Sequence, residues 1–141
     1  MEFSTTRHPN PQQPELPLGL LAVSADARDV EILQKILDPS RWRVFRAVSL
    51  RQAAHILHHD DVSLVLCDQI LPDGSWKMIL HELRHLNPVP ALIVASTLAD
   101  DALWAEVLNL GAYDLLAKPF RSEEVLRTIG AAPRLQLAAS A

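Results

Sequence analysis

Residues 62–68 read Val62-Ser-Leu-Val-Leu-Cys-Asp68, a nearly continuous apolar run that ends on a carboxylate, and the chain goes on as Gln69-Ile-Leu-Pro-Asp-Gly74. The run is too short for an ordinary helix and shows no polar alternation. That pattern fits a strand covered on both faces, as in parallel sheets sandwiched between helices. Such sheets gather their reactive groups beyond the carboxyl ends of the strands, which is where Asp68 falls. Cys67, beside it, reads as a small buried apolar residue.

Working outward, Leu18-Gly-Leu-Leu-Ala-Val23 and Ala91-Leu-Ile-Val-Ala95 have the same character, and residues 42–48 and 113–117 form weaker strands. Helical spacing fills the gaps between them. Val30, Leu33 and Leu37 follow the first strand, and Leu50, Ala53, Ala54 and Leu57 follow the second with Ser49 as N-cap. Ile79, Leu83 and Leu86 mark a third helix. Leu103, Trp104, Val107 and Leu108 mark a fourth that Gly111 ends, and Val125 with Ile129 a fifth that begins at Ser122. Strands alternating with helices in this way imply a parallel sheet with helices on both faces, a doubly wound α/β domain. Val23 is followed by Ser24, Cys67 by Asp68, Ala95 by Ser96 and Ala117 by Lys118, so four strands deliver polar groups to one rim. A carboxylate, a hydroxyl and an ammonium together suit anionic chemistry, with Lys118 able to hold a phosphoryl oxygen and Ser96 able to donate a hydrogen bond.

Length and charge narrow the class. At 141 residues the chain has room for one domain, and about half of its residues are apolar. With 13 Lys and Arg against 17 Asp and Glu, scattered, it lacks the basic stripe that direct nucleic-acid binding requires. The single cysteine cannot form an internal disulfide, and no apolar run is long enough to span a bilayer; a cytoplasmic setting is expected. Residues 1–17, with Pro9, Pro11, Pro14 and Pro17 among polar neighbours, read as a flexible arm, and residues 18–131 as the domain. Residues 132–141 read as a tail, because Pro133 is expected to stop the preceding helix.

The segment from Leu64 through Asp68 to Pro72 and Gly74, the hydroxyl of Ser96, and Gly111-Ala-Tyr-Asp-Leu-Leu-Ala-Lys118-Pro119-Phe120 together resemble the receiver domains of two-component response regulators. Each piece alone is moderately specific; their order and spacing in one α/β chain are strongly so. The resemblance spans roughly residues 18–129. It implies a flavodoxin-like sheet of strand order 2-1-3-4-5 and a phosphorelay signalling role without turnover of its own. It makes Asp68 the phosphoryl acceptor, with Lys118 and Ser96 as phosphate contacts and a cis Lys118–Pro119 bond. It further implies a sensor histidine kinase or phosphotransfer protein as partner, and a homodimer or target docked on the fourth helix, fifth strand and fifth helix, where Trp104, Leu108 and Leu115 fall.

The departures from the family pattern are specific. Receivers follow the first strand with two acids that hold Mg2+; here Ser24 and Ala25 stand there, which removes most of the electrostatic reason for the metal to bind beside Asp68. Asp26, one residue on, is placed either to reach the pocket as a substitute ligand or to cap the first helix, and the cap is the favoured reading. This loss leaves open a pseudo-receiver that binds partners whatever its phosphorylation state. Leu115 replaces the usual switch aromatic, and Trp76 stands where glycine is common, for a purpose the sequence does not disclose.

A rival motif, His81-Glu82-Leu83-Arg84-His85, has the spacing of zinc hydrolases. At about 100° per residue, however, His81 and His85 point away from the Ile79–Leu83–Leu86 stripe, toward solvent, with no third ligand in view. His55, His58 and His59 likewise read as surface residues of the second helix.

Overall fold

The computed structural model describes residues 17–140, with side-chain surroundings for residues 17–132. The expected arm lies outside these residues up to position 16. Five strands form one parallel sheet: β1 (Leu18–Val23), β2 (Trp42–Ala47), β3 (Leu64–Asp68), β6 (Ala91–Ser96) and β7 (Asp114–Ala117). Their order is β2-β1-β3-β6-β7, which is 2-1-3-4-5 when only the strands of this sheet are counted. Two short strands that the apolar pattern does not reveal, β4 (Ile70–Leu71) and β5 (Gly74–Ser75), pair antiparallel as a small hairpin just after Asp68.

The sheet divides two cores. Alternate residues of β1 and β3 serve opposite faces, as the two-residue strand period demands. Leu20, Ala22, Leu64 and Leu66 pack with Val30 and Leu33 of α1 (Ala27–Ile36) and Val125 and Ile129 of α5 (Ser122–Ser140). Leu21, Val23, Val65 and Cys67 pack with Leu57 of α2 (Leu50–His59), Ile79 of α3 (Trp76–Leu83) and Val107 of α4 (Asp101–Leu110). Each such Leu, Val or Ile contributes roughly 1.5–3 kcal/mol by leaving water. Trp76, 2 % exposed, is the largest fully buried side chain, which explains why a bulky residue opens α3: it fills the α2–α4 side of the core.

The helix ends follow local chemistry. Asp26 caps α1, its carboxylate accepting from the Arg28 N–H, Ser49 caps α2 and Ser75 caps α3. Gly111 ends α4 at φ 108°, a left-handed conformation that suits glycine. Helix α5 does not stop at Pro133, where the proline was expected to end it, but runs to Ser140. A proline forfeits one backbone hydrogen bond, and the Arg-Leu-Gln-Leu-Ala-Ala run that follows is rich in strong helix formers.

Candidate functional site

Side chains from the ends of β3 and β7 meet across the end of β6. Asp68 is the last residue of β3, Lys118 follows β7 directly, and the Lys118 ammonium lies 2.6 Å from Asp68 Oδ1. The same ammonium donates a hydrogen bond to Asp29 Oδ2, also at 2.6 Å. The three side chains are sheltered, at 13 %, 15 % and 19 % exposure for Lys118, Asp68 and Asp29. Burial by itself would lower the Lys118 pKa, but hydrogen bonds and charge from Asp29 and Asp68 outweigh it and hold the amine above its ordinary value. The Lys118–Pro119 bond is cis, as the resemblance implied.

Ser96, the last residue of β6, is buried, and its hydroxyl donates to Gln69 Oε1 at 2.7 Å while accepting from the Leu98 N–H at 2.9 Å. It therefore faces the residue next to Asp68 and tethers the start of the β6–α4 loop. Ser24, also buried, is taken up by its own turn, its Oγ accepting from the Asp26 N–H at 3.1 Å. The Asp26 carboxylate caps α1 and pairs with the Arg28 guanidinium at 3.4 Å, and the Arg28 backbone hydrogen bond is the main reason its pKa is lowered. The capping role of Asp26 is thus the one observed.

Two residues of this pocket carry no readable signal in the sequence. Asp29, in the first turn of α1, has the ordinary explanation of an acid facing a helix dipole, and nothing in its spacing announces Lys118. Gln69 has no chemical signature beyond adjacency to Asp68.

Asp73 is equally silent in the sequence, yet it ties the loop after Asp68 to α2. Its carboxylate accepts from the Leu50 N–H at 2.7 Å and the Arg51 N–H at 3.1 Å, and chiefly the Leu50 bond lowers its pKa. A depressed carboxylate pKa means stability that is present above the ordinary value of 3.8 and is lost as pH falls through the folded value below it. Asp73→Asn is therefore expected to lower the melting temperature at neutral pH, and the gap from wild type is expected to close in acid. A gap that stays constant down to the acid limit would show that the charge is not what matters.

The His81 and His85 rings are both exposed and sit edge to face, 4.9 Å apart; α3 ends at Leu83, so the two histidines do not share a helix. Glu82 is 3.6 Å from His58 of α2. Among the described residues no group of three or more His, Cys, Asp or Glu is placed to hold a metal ion. His55 and His59 stack on one another, ring centroids 4.2 Å apart. On α4, Trp104 is 50 % exposed, while Leu108 is half-buried. Leu115, expected on the docking face, instead packs partly buried against the α2–α4 core, because its strand position turns it under α4.

Fold and site together define a doubly wound α/β domain that carries an acid, an amine and a hydroxyl at the carboxyl ends of three neighbouring strands. The sequence-family model "Response regulator receiver domain" matches residues 21–130, and the chain belongs to that family. It is 34% identical over 114 residues to the transcriptional regulatory protein CpxR of Klebsiella pneumoniae, covering 79% of this chain and 47% of CpxR. With the transcriptional regulatory protein ZraR of Escherichia coli the identity is 29% over 112 residues, covering 79% and 25% of the two. The chain thus spans between a quarter and a half of these relatives. Among solved structures it resembles a putative response regulator from Chloroflexus aurantiacus (TM-score 0.76, 23% identity, 84% and 99% covered). It also resembles the chemotaxis response regulator CheY4 of Vibrio cholerae (TM-score 0.74, 18% identity, 83% and 99% covered). A beryllofluoride-activated NtrC4 receiver domain dimer is similar too (TM-score 0.75, 24% identity, 84% and 98% covered). The chain is a receiver domain of the two-component phosphorelay type.

Receiver domains generally bind Mg2+ in an acidic pocket. The residues here fit that ion poorly. Ser24 is spent on its turn, Ala25 has no donor, Asp26 faces Arg28, and the remaining carboxylates, Asp29 and Asp68, already share the Lys118 ammonium. A small cation that demands near-octahedral oxygen ligands lacks most of its set.

Proposed function

We propose that Asp68 accepts a phosphoryl group from a phosphohistidine of a sensor kinase or phosphotransfer protein, and that Lys118 and Ser96 bind the transferred group. The observation that carries this reading is the 2.6 Å contact of Lys118 with Asp68 inside a sheltered rim pocket. Attack by a carboxylate oxygen in line with the departing group needs positive charge on the transferring oxygens, and the ammonium supplies it. Ser96 contributes by exchanging its Gln69 partner for a phosphoryl oxygen. Because the Leu98 N–H rests on Ser96 Oγ, that exchange moves the β6–α4 loop and shifts the population of α4 positions.

The output in this reading is a change of protein contacts on α4, β7 and α5. Trp104 and Leu126, both about half exposed, provide apolar anchors there for a target or a second copy, and the NtrC4 neighbour is itself a dimer. The domain has no turnover of its own, works in the cytoplasm and does not touch nucleic acid directly. No helix among the described residues is long and apolar enough to cross a membrane.

Incubation with a small acyl phosphate, followed by intact mass measurement, is expected to add one phosphate to the wild-type chain and none to Asp68→Asn. A wild type that gains no mass with or without Mg2+ would overturn the acceptor role and leave a phosphorylation-independent interaction module, the reading that Ser24 and Ala25 kept open.

A further inference from the structure

Lys118 is gripped from two sides. Asp68 belongs to the acceptor position, but Asp29 comes from the first turn of α1, 89 residues away in the chain, and meets the ammonium at the same 2.6 Å. The two carboxylates therefore lie within two ion-pair lengths of each other with the ammonium between them. Two acids at that separation would repel strongly in a sheltered site, and a cation held between them removes the repulsion. In this chain that cation is a side chain. The groups that would complete an oxygen cage are elsewhere engaged: the Ser24 hydroxyl by its turn and the Asp26 carboxylate by Arg28.

We propose that Asp29 is a positioning residue that fixes the Lys118 ammonium as the resident cation of the acceptor pocket, so that charge beside Asp68 is supplied by lysine and not by a divalent metal. The proposal rests on the reading of Asp68 as acceptor. Asp29 does not touch the incoming group; it holds Lys118 at a set distance from Asp68. With an acyl phosphate as donor, an Asp68 oxygen forms the new bond to phosphorus while the donor's P–O bond breaks. The donor carboxylate leaves with the electron pair, and no proton has to move. Lys118 faces the phosphoryl oxygens throughout, and one of its three N–H donors stays on Asp29.

Metal binding and adduct formation, measured on the whole 141-residue chain, test this. Isothermal titration and thermal melting with MgCl2 at millimolar concentrations are expected to show neither saturable heat nor a rise in melting temperature for the wild type. Adduct formation from acetyl phosphate is expected to proceed as fast in EDTA as in Mg2+. Asp29→Asn is expected to slow it about 10- to 100-fold, the scale of misplacing one catalytic contact, and Asp29→Glu to restore part of the rate. Saturable Mg2+ binding by the wild type, or an adduct formed only when Mg2+ is present, overturns the proposal and leaves Asp68 as acceptor. An Asp29→Asn variant that reacts at the wild-type rate overturns the role of Asp29. No adduct in either buffer removes the acceptor reading itself, and this proposal with it.

Discussion

Asp68→Asn is expected to leave the chain folded and wholly unable to take up phosphate, going from one phosphoryl group per chain to none. The amide keeps the shape of the carboxylate but is a poor nucleophile, so no acyl phosphate forms. Folding survives because Lys118 keeps Asp29 as a charged partner, and the oxygen of the new amide can still accept from the ammonium. Intact mass reports the first outcome and urea denaturation the second. Phosphate uptake by the Asp68→Asn variant would place the acceptor elsewhere. A grossly unfolded variant would show that the Asp68–Lys118 pair is needed for structure in a way that the Asp29 contact cannot replace.

Trp76→Ala is expected to cost about 3–5 kcal/mol, the range for truncating a fully buried aromatic residue, out of a total of about 5–15 kcal/mol for a domain. Trp76 is 2 % exposed and packs among Ile79, Leu80 and other residues of the α2–α4 core. Its backbone N–H also donates to the Gln69 carbonyl at 3.2 Å, closing the loop that carries the β4–β5 hairpin. The cavity would thus open beneath the segment that presents Gln69 to Ser96, and the site should loosen along with the fold. Denaturant unfolding should show a lower midpoint at similar slope, with Trp76→Phe losing less. A cost under about 1 kcal/mol would mean that the core repacks around the gap.

Much of the rim was legible in the chain because its strand-end groups are announced by what precedes them. An apolar run that stops on Asp68, and others that stop before Ser24, Ser96 and Lys118, specify a rim without any knowledge of which strand lies beside which. The further partners of Ser96 and Lys118 were not legible. Ser96 reaches Gln69 across 27 positions and Lys118 reaches Asp29 across 89, and no periodicity encodes a pairing that arises only when separate strands and helices are brought side by side. Exposure was half legible for the same reason. Exposure of Trp104 follows from its place on the edge of its own helix, whereas the partial burial of Leu115 depends on how α4 lies over β7.

What the sequence alone determined is everything governed within a few residues: the strand runs, the amphipathic helices, and the caps made by Asp26, Ser49 and Gly111, whose partners are near neighbours in the chain. Tertiary structure decided how the charges balance. It set Asp29 against Lys118, sent Asp73 to the start of α2, and buried Trp76, because ion pairing and packing depend on distance in space, which folding establishes between segments that carry no mark of one another.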